Sequence, residues 1–270
     1  MNKTIAVLLP VYKGDQVDYV GKSIQSILAQ TYKDYIILIG VDGPVSEELR
    51  KILLSLSDDR INILWFKENR GLAKVLNDLI KYAVTKGASF YARMDADDIS
   101  LPNRFEKQLK FLKENPDVDV VGGAIQEIDE NSEITGKEVH YPLTNIECRK
   151  FFRYRDPLAH PTVMFRKSFF EKAKGYRPEY RKNQDTMLWY DGFRNGCVFS
   201  NLDEVILKFR VTSDFYGRRT GWKRAKQMFN DRFKINRDLN YDFTAYVFAF
   251  AMLMMTVSPK IVKRLLYKIR

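Results

Sequence analysis

Between Ile5 and Leu112 the chain alternates strand and helix signatures four times, and that alternation constrains its fold more than any other feature. Ile5 to Val11 is a continuous apolar run, as expected of a strand covered on both faces. Val17, Val20, Ile24, Ile27 and Leu28 then recur at helical spacing. Tyr35 to Val41 repeats the strand pattern and stops at the turn Asp42-Gly43-Pro44. A helix over Ser46 to Leu56, a strand over Ile61 to Phe66 and the turn Asn69-Arg70-Gly71 follow. Leu72, Val75, Leu76, Leu79, Ile80 and Ala83 mark one face of a third helix, and Phe90 to Met94 reads as a fourth strand. Ser100 and Pro102 open another helix with the face Phe105, Leu109 and Leu112. Such βαβ units predict an α/β fold with a mainly parallel sheet flanked by helices on both sides.

In sheets of this kind ligands collect at the carboxyl ends of the strands. There fall Val11-Tyr12, Asp42, Asn69 and the acidic stretch Asp95-Ala96-Asp97-Asp98. Three carboxylates within four positions repel one another unless a cation or donors offset the charge. Hard oxygen ligands suit Mg²⁺ or Mn²⁺, which take one or two protein carboxylates and complete their shell with substrate phosphates. The cluster therefore predicts a divalent metal on a phosphate-bearing ligand, a helix-capping turn before Ser100 being the competing reading.

Past Val118 to Ile128 the pattern loosens into a hairpin signalled by Asn131-Ser132 and Gly136, a helix near Asn145 to Arg153 and a strand near Thr162 to Phe165. A helix near Thr186 to Arg194 and strands near Val198 and Val205 to Arg210 complete the domain. We divide the chain into a catalytic domain, 1–215, and a helical C-terminal extension, 216–270. Within the domain, 1–115 is the nucleotide-binding half and 116–215 shapes the acceptor site. Cys148 and Cys197 fit no metal-ligand spacing and point to unpaired thiols in a reducing compartment.

The formal charge of +11 is concentrated at the end of the chain, where residues 201–270 hold 15 Lys/Arg against 6 Asp/Glu. The same segment contains the uncharged run Phe243 to Val257, whose 15 residues fall short of the roughly 20 that a spanning helix needs. Lys260, Lys263, Arg264, Lys268 and Arg270 follow Pro259 as a basic amphipathic end. Apolar and basic character together point to an anionic membrane surface and not to nucleic acid. The N-terminus carries no signal-peptide pattern.

Leu8-Leu9-Pro10-Val11-Tyr12, Ser26-Ile27-Leu28-Ala29-Gln30-Thr31-Tyr32, Val41-Asp42-Gly43, Asn69-Arg70-Gly71 and Met94-Asp95-Ala96-Asp97-Asp98 occur in one order over residues 5–115. In that order and spacing the chain resembles the family 2 glycosyltransferases, inverting nucleotide-sugar-dependent enzymes with a Rossmann-like catalytic domain. His160-Pro161-Thr162 and Asn183-Gln184-Asp185-Thr186-Met187-Leu188-Trp189 are similar to second-half motifs of bacterial members. The resemblance implies that Tyr12 stacks on the nucleotide base, that Asp42 hydrogen-bonds it, and that Pro10, Asn69 and Arg70 line the same pocket. It implies Asp95 on the ribose side of the donor and, with Asp97, at an Mn²⁺ or Mg²⁺ ion. His160 would lie on the acceptor or diphosphate side, unless it is a structural histidine. Arg210, Arg218 and Arg219 are candidates for a diphosphate.

Inversion needs a carboxylate opposite the leaving group, and Asp185 is the candidate base, though its place at a helix start also suits a cap. Where family members carry Glu-Asp, this chain has Gln184-Asp185. Arg218-Arg219-Thr220-Gly221-Trp222 departs from the Gln-x-x-Arg-Trp of processive synthases, so addition of a single sugar is favoured. The expectation is a transferase moving one sugar from a UDP-sugar to a saccharide acceptor, possibly polyprenyl-diphosphate-linked, in bacterial surface polysaccharide assembly. It would act in the cytoplasm, peripheral on the inner membrane. A nucleotidyltransferase lacks support because Tyr12-Lys13-Gly14-Asp15 is not a Gly-rich basic loop. A non-catalytic membrane- or nucleic-acid-binding module is the alternative of another class.

Overall fold

A computed structural model of the chain describes residues 4–212 and 221–258. Arg218, Arg219 and the basic positions from Lys260 to Arg270 lie outside the described residues. Strands β1 (Ile5–Val11), β2 (Tyr35–Val41), β3 (Ile61–Trp65) and β4 (Phe90–Arg93) are parallel and ordered β3-β2-β1-β4. Helices α1 (Val17–Leu28), α2 (Glu47–Leu54) and α3 (Leu72–Thr85) connect them, and α4 (Arg104–Glu114) follows β4.

Strand periodicity divides the core. Ile5, Val7, Leu9 and Val11 of β1, with Ile37, Ile39 and Val41 of β2, pack on one face against Ile24 and Ile27 of α1, Leu53 of α2 and Leu109 of α4. Ala6, Leu8, Ile36 and Leu38 point the other way, onto Val75, Leu76 and Leu79 of α3. Both faces are dry, which is why these strands read as unbroken apolar runs.

The second half widens the same sheet. Its elements are β5 (Ile99–Ser100), β6 (Val120–Ile128), β7 (Ile134–Val139), α5 (Asn145–Phe152), a 3₁₀ turn (His160–Thr162), β8 (Met164–Arg166), α6 (Lys167–Ala173), α7 (Gln184–Arg194) and β9 (Phe199–Arg210). The order continues β4-β8-β6-β9-β5, with β7 paired to β6. Short β8 is antiparallel to both β4 and β6, whereas β6 and β9 run parallel from Val120↔Phe199 to Ile128↔Arg210. The sheet is thus mostly parallel and flanked by helices, as the sequence predicts.

One departure concerns β9, a single strand where two short ones are expected. Leu202 pairs with Gly123 and Val205 with Ala124, so exposed Asp203 and Glu204 bulge out of register and break the apolar pattern. Two further helices, α8 (Trp222–Asp238) and α9 (Phe243–Val257), pack on each other. Ile235 and Leu239 join the core on the α3 side, and Arg153 pairs with Asp242 at the start of α9. Among the described residues no helix is long and apolar enough to cross a membrane.

Candidate active site

The turn after β4 carries the three aspartates, and α1 holds it in place. Ser23 Oγ donates to the Asp95 carbonyl (2.8 Å), and Ser26 Oγ accepts from the Ser100 amide (3.0 Å). Gln30, fully buried, donates through Nε2 to the Leu101 carbonyl (2.7 Å) and accepts at Oε1 from the Phe105 amide (3.1 Å). Ser23 and Ser26 lie on α1 and Gln30 just past its C-terminal end.

Carboxylate oxygens of Asp95, Asp97 and Asp98 lie within 4.8 Å of one another. Asp95 pairs with Arg93, whose side chain is 2% exposed. Asp98 accepts at Oδ1 from the Arg210 amide (2.8 Å), while its buried Oδ2 has no hydrogen-bond partner among the described residues. Burial, followed by the Asp95 charge, pushes Asp97 up to about 6, against the opposing pull of Arg93 and Arg210. Burial and the neighbouring aspartates also raise Asp98 well above the carboxylate range. Hard oxygen atoms at this separation, one of them orphaned, fit a divalent cation.

Arg210 does not present its head to a ligand. Nε donates to the Asp97 carbonyl (2.8 Å), Nη1 to the Asp129 carbonyl (2.7 Å) and Nη2 to Ser132 Oγ (3.0 Å), and the guanidinium covers the Tyr19 ring. With 2% exposure it clamps the aspartate turn to the β6–β7 hairpin.

At the ends of β2 and β3 the residues expected around a nucleotide do come together. Asp42, 5% exposed, accepts from the amides of Arg70 (2.7 Å) and Gly71 (2.9 Å), and Asn69 Nδ2 donates to the Asp42 carbonyl (3.2 Å). Gly43 has φ +86, and a Cβ there would lie 2.6 Å from the Asn69 amide nitrogen, so only glycine lets the two loops meet. The Arg70 guanidinium turns back to Asp78 and stacks on Phe66, leaving its backbone on Asp42. Pro10 lies within β1 opposite Gly40, and Tyr12, 39% exposed, stands just past the strand end.

From the second half, His160 is buried, its Nε2 2.8 Å from Tyr176 Oη and its ring edge-on to Trp189. Burial and the Arg93 charge hold it well below the usual histidine range, so it is neutral. Burial pushes the Tyr176 hydroxyl up, against the pull of the Arg93 charge and with smaller contributions from Asp185 and Asp95. Asp185 opens α7, its Oδ1 accepting from the Thr186 amide (2.9 Å). Arg181 donates to Asn69 Oδ1 (2.9 Å) and ties this segment to the nucleotide-side loop.

Sequence reading passed over Arg93, Tyr176 and Arg181 as site-lining groups. Arg93 had a signal, a charge inside a strand buried on both faces; Tyr176 and Arg181 lie in irregular segments where no periodicity singles them out.

A mostly parallel sheet with an aspartate turn after β4 and the loops after β2 and β3 joined at Asp42 carries the features expected of a nucleotide-sugar-dependent glycosyltransferase. The chain belongs to glycosyl transferase family 2, whose profile it matches over residues 6–173. It is 37% identical over 213 residues to the O-antigen biosynthesis glycosyltransferase WbnJ of Escherichia coli, covering 77% of this chain and 79% of that one. With the amylovoran biosynthesis glycosyltransferase AmsE of Erwinia amylovora identity is 32% over 82% and 81% of the two chains. An Escherichia coli UDP-Gal:alpha-D-GlcNAc-diphosphoundecaprenol beta-1,3-galactosyltransferase is 31% identical over 82% of this chain and 78% of its own. The fold is similar to that of S. aureus TarS, solved with UDP-GlcNAc, at TM-score 0.61 and 15% identity over 94% of this chain and 81% of that one. The protein is a glycosyltransferase of the family that includes these bacterial polysaccharide enzymes.

Proposed function

We propose that the protein transfers one sugar, with inversion and with Mn²⁺ or Mg²⁺, from a UDP-sugar to a lipid-linked saccharide in surface polysaccharide assembly. The observation that carries this reading is the aspartate turn after β4, whose carboxylate oxygens lie within 4.8 Å of one another and whose buried Asp98 Oδ2 has no hydrogen-bond partner among the described residues. The donor class is supported by the relative named for UDP-Gal and by TarS complexes with UDP and UDP-GlcNAc. The relative's diphosphoundecaprenol substrate supports the acceptor class.

Residues 1–215 form the catalytic domain. Tyr12 stacks on the base, Asp42 reads its edge, and Pro10, Asn69 and Arg70 close the pocket. Asp95 faces the ribose, and Asp97 with Asp95 holds the ion. When bound, that ion neutralises charge on the diphosphate. Asp185 takes the acceptor hydroxyl proton as its oxygen bonds to the anomeric carbon and the bond to the diphosphate breaks on the opposite face. His160, neutral and bonded to Tyr176, serves the acceptor side through that ring. Within residues 216–270, α8 packs on the catalytic domain and the rest brings the enzyme to the membrane in the cytoplasm, a placement that the exposed apolar side chains of α9 support.

Thermal stabilisation by UDP-galactose, UDP-glucose and UDP-N-acetylglucosamine with Mn²⁺ identifies the donor, and transfer to an N-acetylglucosamine diphospholipid follows. Asp97→Ala should lose Mn²⁺-dependent stabilisation by UDP. Full transfer by that variant in chelator would end the metal assignment. Asp185→Asn should abolish transfer and leave UDP affinity nearly intact; loss of UDP binding instead would remove Asp185 from the base role.

A further inference from the structure

We propose that Asp231 and Arg232, adjacent on α8, are positioning residues that fix the first turn of α7 and thereby aim the Asp185 carboxylate. The inference rests on the base reading of Asp185 given above.

Helix α7 starts awkwardly. Its N-cap, Asn183, sits in the left-handed region at φ 65 and makes no side-chain cap bond, so local sequence alone does not hold the turn that carries Asp185. Two bonds from outside flank it. On one side Asn183 Nδ2 donates to Asp231 Oδ2 (2.9 Å), while Tyr180 Oη donates to Asp231 Oδ1 (3.0 Å). On the other side Thr186 Oγ1 donates to Asp156 Oδ2 (2.7 Å), and Asp156 Oδ1 accepts from Arg232 Nη2 (3.0 Å). Arg232 is anchored in turn by Nη1 on the Phe152 carbonyl (2.7 Å). Asp185 lies between the two tethered residues, and both tethers end on α8, at neighbouring positions each 6% exposed.

Stability alone does not call for this arrangement. Apolar side chains would join α7 and α8 without desolvating an aspartate and an arginine, and replacing a buried ion pair by packed hydrophobic residues is often neutral or stabilising. Directional bonds do what apolar contacts cannot: they set the angle of one turn. A base displaced by about 1 Å loses roughly a hundredfold in rate, so that angle matters to the reaction.

The test compares Arg232→Met, Asp231→Ala and Thr186→Val with Arg232→Lys in the full chain. Thr186→Val cuts the Asp156 tether without touching α8 and keeps the test valid if either α8 variant fails to fold. The expected result is a fall in kcat for sugar transfer of about 10- to 100-fold, with donor KM and the Kd for UDP and Mn²⁺ changed by less than about twofold. Arg232→Lys should restore most of the rate. Amide exchange over residues 183–188, which needs no acceptor, should quicken in the Met, Ala and Val variants while the melting transition stays cooperative. Unchanged kcat and exchange in folded Thr186→Val and Arg232→Met, beside an inactive Asp185→Asn, would overturn the positioning role alone. An active Asp185→Asn would overturn the base reading beneath it.

Discussion

Tyr12 stands over the backbone of Gly14: a Cβ built there would lie 2.5 Å from the tyrosine Oη and ring carbon Cζ. An Asp15 carboxylate oxygen accepts from the Tyr12 amide (2.8 Å), so the backbone is fixed and the ring is the part that can yield. Gly14→Ala should therefore swing the ring while leaving the melting temperature close to wild type. If that ring is the base platform, UDP affinity falls about tenfold, within the roughly 1–3 kcal/mol of a base–aromatic stack. Isothermal titration with UDP and Mn²⁺ checks this, and an unchanged Kd would remove Tyr12 from the base site. A second residue-scale expectation concerns Asp58, which Arg60 holds at about 2 by bonding to its carboxylate (Nη2 to Oδ2, 2.7 Å). A depressed carboxylate adds stability above its unfolded pKa near 4 and loses it as pH falls through the folded value. Solvent reaches both partners, so the gain is about 1 kcal/mol. Urea midpoints of wild type and Asp58→Asn should differ above about pH 4 and converge near pH 2.

At the scale of elements, α1 does more than cover the sheet. Just past its end, Gln30→Ala would leave the Phe105 amide unpaired in the interior and take one of two donors from the Leu101 carbonyl, which keeps the Arg104 amide, costing about 1–3 kcal/mol in urea unfolding. Because the same bonds hold the loop after Asp98, stabilisation by UDP with Mn²⁺ should shrink in the variant beyond the loss of stability itself. The elements legible in the sequence are those whose environment is uniform. Strands β1, β2 and β4 are dry on both faces and α3 keeps one apolar stripe, so periodicity finds them nearly to the residue. Legibility fails where tertiary pairing overrides local pattern. Two-residue β5 owes its existence to antiparallel pairing with β9, and α6 buries only Phe169 and Ala173. The site divides in the same way. Its aspartate turn and Asp42 announce themselves by charge at strand ends, but the tasks of Arg210 and His160 depend on partners 113 and 16 residues away, which spacing does not reveal.

For the whole molecule, the decisive surface is α9. Ala245 and Ala249 are buried, whereas Phe243, Val247, Phe250 and Met254 are 53–79% exposed and recur at helical spacing on one face. Fifteen residues span about 22 Å, less than the roughly 30 Å of a bilayer core, so the helix suits lying in an interface and not crossing it. It is embedded in a segment, 201–270, whose 15 basic residues against 6 acidic ones would draw it to anionic headgroups. Vesicles of phosphatidylethanolamine and phosphatidylglycerol should therefore co-sediment with the protein, less so as salt is raised from about 0.1 to 0.5 M. Neutral phosphatidylcholine vesicles should bind it more weakly. Val247→Asp with Phe250→Asp should release it from both, with UDP affinity unchanged because α9 is no part of the nucleotide site. A pair of copies sealing these faces together is the other way to cover them, and it makes the opposite forecast. In that case the wild type sediments as a dimer, the double variant as a monomer, and vesicle binding does not respond to lipid charge.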